Sequence, residues 1–109
     1  MATKKVRVNV TARDIRLGVA SDAGSCPIAR AVKRIKRFQD YSTEEIVVTA
    51  FDVLLPGESV WDVDSISLPR QATYFVLLFD GGSAVDENDN LLAYEDVVKP
   101  FRFTLEVDA

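Results

Sequence analysis

Strict alternation at both ends of the chain constrains its fold more than any other feature. Val6, Val8 and Val10 fall on one side of residues 5–10, with Lys5, Arg7 and Asn9 on the other. Phe101, Phe103, Leu105 and Val107 alternate in the same way with Arg102, Thr104 and Glu106. Period two in β-branched and aromatic residues predicts strands with one face in a core. Between these strands the period changes to that of helices, so sheet and helix must share one core.

Thr11 is placed to cap a short helical turn over residues 12–17, which Gly18 ends. Residues 26–38 predict the first long helix, with Ser25 as N-cap and Pro27 in the first turn, where a missing N–H costs nothing. Ile28, Ala31, Val32, Ile35 and Phe38 recur at helical spacing and form its apolar face. Two β-rich runs, residues 45–55 and 59–68, flank Pro56-Gly57-Glu58 and read as a hairpin. Pro69 opens a second helix, with Ser67 or Leu68 before it as cap. Ala72, Phe75, Val76 and Phe79 have helical spacing there, and Asp80-Gly81-Gly82 stops the helix. Residues 83–90 read as an acidic exposed loop, and residues 91–97 as a turn of helix or a short strand. The order is β-α-β-β-α-β with additions. It predicts an α+β two-layer sandwich, an antiparallel sheet with two main helices, in the order of ferredoxin-like folds. Residues 1–109 are expected to form a single domain, a usual size for one.

Composition narrows the chemistry. The 109 residues include no histidine and one cysteine, Cys26. Hydrolases of the triad type need an imidazole to carry the proton, and most catalytic zinc sites need imidazole ligands. The expectation is a non-enzymatic protein with no metal and no cofactor. A lone cysteine cannot form an internal disulfide, which fits a reducing cytoplasm. No apolar run reaches the roughly 18 residues of a membrane span, and the first residues lack the apolar core of a signal peptide. The expected location is therefore cytoplasmic, with no membrane partner.

Charge is split along the chain. Residues 1–38 hold ten bases against two acids, and residues 39–109 hold three bases against fifteen acids. On the first long helix, Arg30, Lys33, Arg34, Lys36 and Arg37 occupy the positions that the apolar face leaves open. With Arg13 and Arg16, the residues Arg30, Lys33, Arg34 and Arg37 are the candidate contacts for a small anionic ligand such as a nucleotide. A solvated face, or pairing with acids of the same or another chain, competes with that reading. Nucleic acid is disfavoured as a partner, because the acidic remainder repels a long polyanion.

The helix start Cys26-Pro27-Ile28-Ala29-Arg30-Ala31 resembles a Cys-Pro-(Ile/Val)-Ala-x-Ala segment of small phage and prophage proteins. The likeness continues in Leu68-Pro69, Ala72, Phe75, Phe79-Asp80 and Pro100-Phe101-Arg102-Phe103. Residues 83–97 depart from that pattern as an insertion. The resemblance implies phage ancestry and a shared fold, and no mechanism.

Four further features carry possible function. Cys26 stands at a helix N-terminus, where a thiol can become reactive, but with no imidazole as base the structural reading is preferred. Asp86-Glu87-Asn88-Asp89-Asn90 imitates the start of a calcium loop, yet Leu91 and Val97 stand where Gly and Glu are required. Glu44, Glu45, Asp52, Asp62 and Asp64 could cluster as a mimic of DNA phosphates, the strategy of an acidic inhibitor. The second helix has six apolar residues in a row, 74–79, more than one face of a sandwich buries. Trp61, Tyr74, Leu77 and Leu78 are therefore the candidate interface. The preferred reading is an interaction protein that binds a host protein or self-associates as a homo-oligomer.

Overall fold

A computed structural model describes residues 3–35, 38, 46–56 and 63–108. The elements run β1 (Thr3–Val10), α1 (Ala12–Leu17), α2 (Pro27–Lys33), β2 (Val47–Val48), β3 (Asp52–Pro56), β4 (Val63–Ser67), α3 (Arg70–Phe79), α4 (Tyr94–Val97) and β5 (Phe101–Asp108). The class is α+β, and every ladder is antiparallel.

β1 and β5 pair along their whole length, from Thr3↔Asp108 to Val10↔Phe101. This register puts Val6, Val8 and Val10 opposite Leu105, Phe103 and Phe101 on one face, and Lys5 opposite Glu106 on the other. Val8, Val10, Phe103, Leu105 and Val107 are buried as the alternation requires. They join Ile28, Ala29, Ala31 and Val32 of α2 and Ala72, Phe75 and Val76 of α3 in one apolar cluster.

The described elements include α1, β2 and α4 beyond the six of the expected order. The strands divide between two sheets, β1-β5 and β2-β3-β4, rather than forming one. β4 and β5 lie side by side without a ladder between them. The hairpin is formed by β3 and β4, with Pro56↔Val63 and Asp52↔Ser67 at its two ends. The β-rich run before it is not one strand. It reverses at residues 49–52, so β2 pairs with β3 through Val48↔Val53. Thr49 makes that reversal: its Oγ1 accepts from the N–H groups of Phe51 at 3.2 Å and Asp52 at 3.0 Å. A hydroxyl here does the work expected of Gly or Pro.

The first long helix is also shorter than its apolar period. α2 ends at Lys33, and the chain continues in tighter turns, with Arg34 N–H to Ala31 O, Ile35 N–H to Val32 O and Phe38 N–H to Ile35 O. Bonds to the third residue back keep the chain winding, and Phe38 is still delivered into the core. The caps differ from expectation as well. Cys26, not Ser25, caps α2, and Pro69 occupies the N-cap of α3 with no side-chain bond.

Gly18 ends α1 at φ −69°, which any residue adopts. Its need is space. A Cβ there would lie 2.6 Å from Pro27 Cδ and 2.8 Å from the Asp14 carbonyl oxygen, so the close seating of α1 on α2 requires Gly.

Candidate functional site

The basic residues of the first half do gather, but around a carboxylate of their own chain. Asp14 is 1% exposed. It belongs to the capping box of α1: Thr11 Oγ1 accepts from Asp14 N–H, and Asp14 Oδ2 accepts from Thr11 N–H at 2.9 Å. Arg34 reaches across from the end of α2 and grips both oxygens, Nη1 on Oδ1 and Nη2 on Oδ2. Its remaining Nη hydrogens go to the carbonyls of Asn9, at 3.1 Å, and Arg30, at 3.4 Å. Arg30 Nε lies 3.6 Å from Asp14 Oδ1. Burial pushes the Asp14 carboxyl up, but the hydrogen bond from Arg34, the N–H of Thr11 and the Arg34 charge together hold it below the ordinary carboxylate range. The same hydrogen bond raises Arg34.

Three elements meet at this carboxylate: the end of β1, the start of α1 and the end of α2. Its oxygens are saturated with donors and its charge is fixed, so it has no acid–base work to offer. The spacing Thr11-x-x-Asp14 was its signal in the sequence, a capping box with Asp in the third place.

This arrangement redistributes the anion-binding residues expected from sequence. Arg34 and Arg30 are turned to Asp14. Lys33 Nζ donates to the Gly24 carbonyl at 2.5 Å. Arg13 and Arg16 stand exposed on the outer face of α1 and make no ion pair among the described residues. Arg37 lies outside the described residues. The five described bases therefore do not converge on one site: Arg34 bonds the buried carboxylate and Lys33 a carbonyl, while Arg30 Nε is buried near Asp14 without a hydrogen bond.

The residues expected to form an interface differ in their exposure. Leu78 is 5% exposed and belongs to the interior, while Tyr74 and Leu77 are half-buried. Trp61 lies outside the described residues. The segment after α3 packs back on it, with α4 against α3. Gly82 N–H bonds Leu77 O at 2.9 Å, Leu92 N–H bonds Ala84 O at 2.9 Å, and Glu87 pairs with Arg70 in the first turn of α3. The apolar surplus of the helix is thus absorbed largely within the chain.

What the insertion covers on one side it replaces on the other. Val85 and Leu91 face each other across an antiparallel bridge, and both are exposed, Leu91 at 74%. Tyr94, at the start of α4, is 51% exposed. The loop between them is fastened: Asp86 Oδ1 accepts from Asn88 N–H at 2.8 Å and Asn90 N–H at 3.0 Å. Those two N–H groups hold the Asp86 carboxyl below its usual range. The carboxylate serves the turn, and no group of three metal-ligating side chains gathers among the described residues.

Cys26 is 4% exposed, and its Sγ accepts from Ala29 N–H at 3.4 Å. Burial pushes its thiol up, away from reactivity. A thiol reagent is expected to label the native protein at least about 100-fold more slowly than the unfolded chain, an opening cost of about 3 kcal/mol. Labelling at equal rates would contradict the buried placement.

A groove of about 660 Å³ runs where β4 and β5 diverge, lined by Lys5, Ser65, Ser67, Thr104 and Glu106 among others. It is open, and Ile66, Leu68 and Pro69 line it beside the polar residues. Lys5 and Glu106 are opposed across the ladder, so it favours neither sign of ligand. Of the acids expected to form a DNA-like array, Glu44, Glu45 and Asp62 lie outside the described residues.

The fold and these surfaces define a small α+β protein with an internally clamped basic cluster and an exposed apolar hairpin. Comparison with known protein families, with curated proteins and with solved structures found no match to this chain. No helix among the described residues is long and apolar enough to cross a membrane.

Proposed function

We propose that this chain is a non-enzymatic interaction protein that docks on a protein partner through residues 84–97. The carrying observation is that Val85 and Leu91, opposed across a bridge, and Tyr94 at the start of α4 are all exposed on a segment that is itself tied to α3 and to its own turn. Ordering a loop costs affinity, and a loop already fastened avoids that cost. Tyr and large apolar side chains ringed by polar residues are the usual anchors of such contacts. Phage descent, with a host protein as one partner, rests on the motif resemblance alone. The small-anion reading now rests on Arg13 and Arg16, since the bases of α2 are engaged within the chain.

Immobilised protein is expected to retain a partner from a lysate of the cell that carries the gene. Leu91→Asp and Tyr94→Asp should each weaken that capture about 30-fold, the effect of losing about 2 kcal/mol at an interface anchor. Capture unchanged by both substitutions would overturn the reading.

A further inference from the structure

We propose that a second copy of this chain occupies residues 84–97, seated through the outer face of its α1. This rests on the reading of residues 84–97 as a docking surface and names its occupant. Two observations carry it. Residues 86–96 hold five acids, Asp86, Glu87, Asp89, Glu95 and Asp96, and no base. The exposed apolar trio stands among them. The outer face of α1 has the opposite character. Arg13, Arg16 and Leu17 follow helical spacing and are all exposed, with exposed Val19 just beyond the helix end. The one acid of α1, Asp14, is buried and clamped by Arg34, so it does not offset these charges. Asp22, in the same connector, turns its carboxylate to Gly24 N–H at 3.0 Å.

The exposed Arg13 and Arg16 of α1 accompany exposed Leu17, whereas the exposed Asp89, Glu95 and Asp96 accompany exposed Leu91 and Tyr94, with Glu87 already paired to Arg70. An insertion meeting an insertion, or an α1 meeting an α1, would set like charges against each other. A contact between copies therefore joins different patches on the two chains. Made reciprocally across a two-fold axis it closes a dimer, and made singly it leaves one surface of each kind free for further growth. The exposed charges make the contact sensitive to salt.

Sedimentation of the full chain over a concentration series tests this. At low salt the mean mass is expected to rise with concentration. It should fall to the monomer near about 1 M salt, where the screening length is about 3 Å. The double variant Arg13→Glu/Arg16→Glu and the double variant Glu95→Lys/Asp96→Lys should each stay monomeric with an unchanged circular dichroism spectrum. Mixed in equal amounts they should associate again, because an acidic α1 now meets a basic α4. That rescue cannot come from misfolded protein. A monomeric wild type, or association that survives both double variants, overturns the proposal. If the wild type is monomeric while lysate capture still depends on Leu91 and Tyr94, the second copy is excluded as occupant and the docking surface stands. If capture is indifferent to them as well, both fail.

Discussion

Phe75→Ala is expected to remove about 3–5 kcal/mol of stability, the range for losing a buried aromatic ring from a packed core. Phe75 is 1% exposed. Its ring stacks on Phe101 of β5 at 5.1 Å between centroids and on Phe79 at 5.8 Å, and Phe101 in turn stacks on Phe103 at 5.5 Å. The aromatic row joins α3 to the terminal ladder, so the substitution leaves a void at a joint between elements. A domain of this size has a total stability of about 5–15 kcal/mol. The loss is therefore a large fraction of the whole. Urea unfolding should show a lower midpoint with an unchanged slope. A cost under about 1 kcal/mol would mean that the site collapses around the missing ring, and that the row is not a joint.

Arg34→Met should cost about 2–3 kcal/mol at pH 7. Breaking a buried pair by removing one partner costs about 3–5 kcal/mol, and the half-exposed side chain of Arg34 places this case lower. The variant leaves Asp14 buried and charged with only Thr11 and Arg30 near it. The effect depends on pH in a definite direction. Asp14 is depressed in the folded protein. Its contribution is therefore complete above the unfolded value of about 3.9 and is lost as pH falls through the lower folded value. The wild type loses this contribution in acid. In the variant, protonation relieves an unpaired charge instead. The gap between the two should accordingly narrow as the pH falls below about 4. A gap that stays constant between pH 7 and pH 3 would show that Arg34 acts through packing of its stem and not through the carboxylate.

The readable parts of the fold were those with a local cause. Alternation placed β1 and β5 because each has one face against the core. Pro69 and Asp80-Gly81 bounded α3 because both ends depend on backbone chemistry that a few residues determine. The turn at Thr49 was not readable, since a hydroxyl closing a reversal leaves no Gly or Pro in the sequence. The early end of α2 was hidden for a related reason. The apolar period runs on to Phe38 although the hydrogen bonding changes at Arg34. At the site, charge patterning found the bases but not their target. Asp14 and Arg34 are 20 positions apart, and only the packing of α1 on α2 brings them together. Likewise, six apolar residues in a row on α3 suggest a partner, whereas Phe75, Val76 and Leu78 are buried within the chain and α4 packs against the helix.

The pairing of β1 with β5 has a consequence for synthesis. Thr3 is matched to Asp108, so β1 waits for β5, which is made after every element between them. Until then the valines of β1 lack the partners that bury them, and the edge of β1 lacks its ladder. Long-range pairings of this kind close slowly and leave apolar strand surface open in the meantime. The apolar face of β1 is therefore expected to stay open to solvent until β5 has been made, and the ladder between them to close late.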